Sequence, residues 1–186
     1  MRLIKACFFI TAWAFVLNAS AQTLAPTELD ALNYEPPLIS GNYDPDITTP
    51  ESILGFPVGQ RTATPSQILE IVTRIAAESD RVLITEYARS HENRPLVYLV
   101  ISSPENLARI DEVKPDLNQL ADPRGRSDAE GNAIIERLPA VGGWGHSSHG
   151  NESSGSDASL ASIYHLAASQ DEDIVSLLDD SIIIMD

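Results

Sequence analysis

Thiols are almost missing from this sequence. Cys7 is the single cysteine in 186 residues. No intramolecular disulfide can form, and no cysteine-rich zinc or iron–sulfur site can be built. Bases are scarce as well: 12 Lys and Arg stand against 27 Asp and Glu, a formal net charge of −15. Nucleic acid needs a basic surface to neutralise its phosphates, so that balance argues against it as a partner. An anionic membrane surface is disfavoured for the same reason. The apolar run Ala6 to Leu17 has twelve residues, too short to cross a bilayer comfortably. No Gly-x-Ser-x-Gly elbow surrounds Ser153 and Ser154, which removes support for a serine hydrolase. No phosphate-binding glycine loop is present either.

What stands at the N-terminus has a clear order. Arg2 and Lys5 precede the apolar run, and Ala19-Ser20-Ala21 follows as a small-x-small cleavage signal. Residues 1–21 therefore read as a secretory signal peptide cut after Ala21, with a membrane anchor as the alternative. Cutting there removes Cys7, Arg2 and Lys5 and no acid, leaving 27 acids against 10 bases and a net charge of −17. The mature chain is expected to be secreted or periplasmic, free of thiols, and without a stable membrane anchor.

Residues 22–62 are rich in Pro, Asp, Thr and Asn and read as an irregular N-terminal arm, with Tyr34, Tyr43, Leu54 and Phe56 as anchors. From residue 63 the pattern alternates between helix and strand. Thr64-Pro65-Ser66-Gln67 is a helix start with the elements of a capping box, and Ile68, Ile71, Val72, Ile75 and Ala76 give one apolar face. Residues 81–87 and 96–101 predict two strands joined by a polar turn that carries His91. Ser103 opens another helix, which Pro115 is expected to interrupt or end. Residues 122–132 read as a surface loop, after which Ile134 and Ile135 resume the core. Leu138 to Trp144 predicts a buried strand. Ile174, Val175, Leu177 and Leu178 are expected to be buried on a later helix, and Ser181 to Met185 predicts a central strand. This helix–strand order predicts an α/β layer protein.

The chemistry concentrates in Gly-His-Ser-Ser-His-Gly-Asn-Glu-Ser-Ser, residues 145–154. It falls between the predicted strand and a helix whose apolar face is Leu160, Ile163, Tyr164 and Ala167. In open α/β sheets, ligands gather at the carboxyl ends of strands. An imidazole and a carboxylate are both suitable zinc ligands, so His149 and Glu152 form a candidate pair. The alternative is a solvated loop His beside a Glu favoured by the positive end of the helix dipole. Two ligands are short of the three protein ligands that a catalytic zinc takes. His146 is a weaker candidate ligand or a cleft-lining residue, and His165 reads as structural.

The segment from Pro139 to Ala168, with His149-Gly150-Asn151-Glu152 followed by Ser-Gly and a helix, resembles the first zinc-ligand segment of the zinc carboxypeptidase family. It is most similar to the bacterial secreted branch. The resemblance extends back to about Ile47 through Thr49-Pro50-Glu51-Ser52-Ile53-Leu54-Gly55-Phe56 and Ser79-Asp80-Arg81-Val82. It implies a three-layer α/β/α fold around a mixed sheet, incomplete here, with residues 63–186 as the N-terminal part of the domain. It also implies one Zn2+ ion held by His149 and Glu152, a peptide substrate, and removal of C-terminal residues. The third ligand, the substrate-holding arginines and the general-base Glu are expected beyond residue 186. Asn151 stands where some relatives carry a substrate-contacting Arg. Two other readings follow from the same segment: a zinc-dependent amide hydrolase of acylated amino acids, and a non-catalytic fragment or binding module.

Overall fold

The computed structural model describes residues 40–122 and 124–186. Residues 1–39, which include the expected signal peptide and Tyr34, lie outside the described residues. Within them the chain is α/β, with seven helices and a four-strand mixed sheet.

The arm is not wholly irregular. It carries a short helix α1, Pro50–Leu54, which begins on a proline and ends at Gly55 in the left-handed region, φ 77°. Tyr43 is half-buried and pairs with Ser169 in an isolated bridge. Helix α2 spans Pro65–Glu78. Thr64 caps it as expected: its hydroxyl accepts from the Gln67 amide, and the Gln67 side chain accepts from the Thr64 amide. Ile71, Val72 and Ile75 are its buried face.

Strand β1, Val82–Arg89, pairs antiparallel with β2, Pro95–Ile101. The register slips between Glu86 and Ala88, so Tyr87 is the extra residue of a bulge. Helix α3, Pro104–Ala108, starts at Ser103, and α4 runs Ile110–Ala121. The break between them falls at Arg109, φ −108° and ψ 16°, and not at Pro115, which lies inside α4. Restarting at Ile110 makes Pro115 the sixth residue of the new helix, so its missing N–H costs a single i→i−4 bond.

The expected loop at 122–132 is in part helical. Helix α5 spans Asp128–Ile135, and Ser127 and Glu130 form its capping box. Ile134 is buried, whereas Ile135 is 58% exposed. Neighbours on a helix point about 100° apart, so one residue of the pair faces out.

Strand β3, Ala140–Trp144, is followed by α6, Ser153–Ala168, α7, Glu172–Asp180, and β4, Ser181–Met185. The sheet order is β1-β2-β4-β3. Strand β4 is central as expected, antiparallel to β2 and parallel to β3. The expectation of burial for the strand ending at Trp144 is corrected. Strand β3 lies at an edge of the described sheet, with Val141 39% and Trp144 45% exposed. Leu177, expected in the core, is also exposed, because the buried stripe of α7 is centred on Leu178.

Strand residues alternate between two apolar clusters. Val82, Leu99, Ile101, Ile183 and Met185 join Ile71, Ile75, Leu160 and Ile163 in the larger one. Val100 and Ile182 join Leu107 and Val113 in the smaller one. The pairings Ile101↔Ile183 and Val100↔Ile184 hold this alternation in register.

Candidate metal centre at the end of β3

The pairing of β3 with β4 continues past Trp144. The Asp186 amide donates to the Trp144 carbonyl at 3.1 Å, and the His146 amide donates to the Asp186 carbonyl at 2.9 Å. The turn is thus tied at His146 to the residue that follows the central strand. The Tyr87 hydroxyl donates to Asp186 Oδ1 at 3.1 Å. That bond, then partial desolvation and the Asp186 charge, raises the Tyr87 phenol above its ordinary 10.0.

From His146 the chain reverses direction. Ser147 adopts a left-handed backbone, φ 54°, which few non-glycine residues take. Its hydroxyl donates to the Glu152 carbonyl at 3.0 Å. The Glu152 amide in turn donates to the His149 carbonyl at 2.8 Å. These contacts close the loop from 147 to 152 on itself. Glu152 is the N-cap residue of α6, yet its side chain makes no capping bond.

The start of α6 is held by the arm. Thr62 Oγ1 and Ser153 Oγ are 3.1 Å apart and hydrogen-bonded. The buried Asp157 accepts the Ala63 amide at 3.0 Å. Gly155 faces the loop closely: a Cβ there would lie 3.1 Å from the Ser147 amide nitrogen.

His149 and Glu152 are both exposed and belong to one turn at the carboxyl end of β3. Neither side chain hydrogen-bonds or ion-pairs with another described residue. An imidazole and a carboxylate left free in one turn have the right donor chemistry for zinc. A complete site is a different matter. Among the described residues no group of three or more His, Cys, Asp or Glu side chains could hold a metal ion.

The other histidines are placed elsewhere or otherwise. His146 is half-buried, with its backbone in the sheet ladder. His165 Nδ1 is hydrogen-bonded to the Tyr43 hydroxyl at 2.9 Å, which makes it a structural contact between α6 and the arm. His91 is exposed in the β1–β2 turn, as expected. Asn151 is exposed beside Glu152. Sequence reasoning gave no role to Ser147, Tyr87 or Asp186. The turn geometry that involves Ser147 has no local signature, because serine is not a residue that announces a left-handed conformation. The Tyr87–Asp186 bond joins residues 99 apart in the chain. No family model, curated protein or solved structure matches the chain.

Proposed function

We propose that His149 and Glu152 are two of the three protein ligands of one zinc ion in a secreted or periplasmic metallocarboxypeptidase. Residues 63–186 form the N-terminal part of its three-layer α/β/α domain. The observation that carries this reading is the turn itself: two metal-competent side chains, exposed and unspent, between a parallel strand and the helix that follows it. The resemblance of residues 139–168 to the first ligand segment of zinc carboxypeptidases adds the reaction and the peptide substrate. The strand residues that feed both apolar clusters support a layered fold.

Zinc, if held by His149 and Glu152 with a third ligand, would supply an acidified water, with a pKa of ~7, and a Lewis acid for the scissile carbonyl. The residues of this chain hold and orient. His149 offers a ring nitrogen, Glu152 offers a carboxylate, and the main-chain bond between them keeps the two on one turn. No third ligand joins this pair among the described residues.

Zinc uptake by the metal-free mature chain, followed by competition with a chromophoric chelator, tests this directly. The expected result is weak, saturable binding of one ion, lost in His149→Ala and in Glu152→Ala. The same sample is expected to release no C-terminal residues from peptides. Equal uptake by wild type and both variants would sink the ligand assignment. Peptide cleavage that disappears in His149→Ala would sink the division of the site between two parts of the protein. The absence of a third ligand among the described residues favours one alternative, a non-catalytic binding module. That alternative, a non-catalytic fragment or binding module, expects weak zinc affinity and no turnover.

A further inference from the structure

We infer that Ser147 is a positioning residue, which fixes Glu152 for its ligand role by holding a strained backbone conformation. The inference rests on the zinc reading for its purpose, but its geometry is independent of any metal.

Three observations converge on this residue. Ser147 is one of two non-glycine residues with positive φ among the described residues, at 54°. The other, Asn93, belongs to the residue type that tolerates this region best, and it sits in an ordinary hairpin turn. Serine has no such excuse, so the surrounding structure must over-determine its conformation. The second observation is the hydroxyl bond to the Glu152 carbonyl at 3.0 Å. It spans five residues and clamps the loop at the backbone of the candidate ligand. The third is the space at Gly155. A side chain there would meet the Ser147 amide nitrogen at 3.1 Å and its Cα at 3.7 Å. The first turn of α6 therefore packs directly under Ser147.

The arrangement works as a two-point hold. His146 is fixed by its amide bond to the carbonyl of Asp186, the residue that follows β4. One residue later, Ser147 turns the chain and fastens the far end of the loop at Glu152. An ordinary packing residue would be relaxed and would not be placed against the only bare Cα in that helical turn. Backbone strain next to candidate ligands is what pre-organisation requires.

The substitution that separates positioning from packing is Ser147→Gly. Glycine adopts positive φ without strain, so stability is expected to hold or rise slightly, offset by the added freedom of the unfolded chain. The clamp is lost with the hydroxyl. In the metal-free mature chain, hydrogen exchange of the Glu152 amide should then quicken by about threefold to tenfold, while the Ile71 and Ile75 amides in α2 stay as in wild type. Zinc affinity, read by chelator competition, should weaken by a similar factor. Gly155→Ala should act in the same direction, because its Cβ presses on Ser147. A purely structural role would move melting temperature and zinc affinity together, and both downward. Unchanged Glu152 exchange in both variants would overturn the inference. If wild type takes up no zinc, the functional reading falls, and the exchange comparison alone decides the role of Ser147.

Discussion

Asp157 is the one buried acid among the described residues. It is buried on α6 and accepts the Ala63 amide at 3.0 Å, in a place where water is scarce. Replacing it with Ala leaves that amide without a partner, and a buried unsatisfied donor costs about 1–3 kcal/mol. Chemical denaturation of Asp157→Ala should show a loss of that size, with Asp157→Asn losing less because its carbonyl still accepts. A loss below about 0.5 kcal/mol would mean that water reaches Ala63 after all. The candidate pair is a contrast. His149 and Glu152 are exposed and unbonded, so their substitution should leave stability within about 0.5 kcal/mol of wild type. The residue types and spacing of that pair are legible in the sequence. The left-handed turn at Ser147 between them and β3 is not, since serine does not signal positive φ and the close approach to Gly155 lies in a different element.

Two elements make separable predictions. Helix α2 depends on its start, where Thr64 and Gln67 exchange hydrogen bonds. Thr64→Ala should cost about 1 kcal/mol, measured by thermal or urea unfolding, because the first-turn amides lose their acceptor. Helix α4 and the end of α5 are joined by Asp116 and Arg137, whose side chains meet at 2.6 Å. The hydrogen bonds from Arg137 hold the Asp116 carboxyl below its ordinary 3.8. The sign follows from that depression. The pair favours the folded state above the unfolded value of 3.8, and its contribution fades as pH falls through the lower folded value. An NMR titration of Asp116 should move upward in Arg137→Ala, and an unchanged midpoint would refute the pairing. At this scale the sequence reads helices well where a cap and an apolar stripe coincide, as in α2. It misreads α5, because Pro123, Gly125 and Gly131 suggest a loop while the capping pair Ser127 and Glu130 acts three residues apart. It also places the α3–α4 break at a proline, although the backbone turns at Arg109.

The whole molecule is strongly acidic, with a formal net charge of −15 over the full chain. Like charges repel more in the compact state than in the extended one, and salt screens that repulsion over about 10 Å at 0.1 M. Raising sodium chloride from about 10 mM to 500 mM should therefore raise the melting temperature by a few degrees at neutral pH. A flat or falling response would show that ion pairs such as Asp116–Arg137 outweigh the general repulsion.

By itself the sequence determined the α/β alternation, the caps of α2 and α3, the central place of β4 and the candidate pair His149 and Glu152. Those features are local: periodicity, capping chemistry and short spacing act within a few residues of each other. Only the tertiary structure decided that β3 lies at an edge of the described sheet, that Tyr43 and His165 fasten the arm to α6, and that Ser147 bonds the Glu152 carbonyl and lies against Gly155 in the first turn of α6. The reason is physical. Strand order, burial of a face and closure of a loop depend on which distant segments meet, and the preferences of single residues carry no record of those meetings.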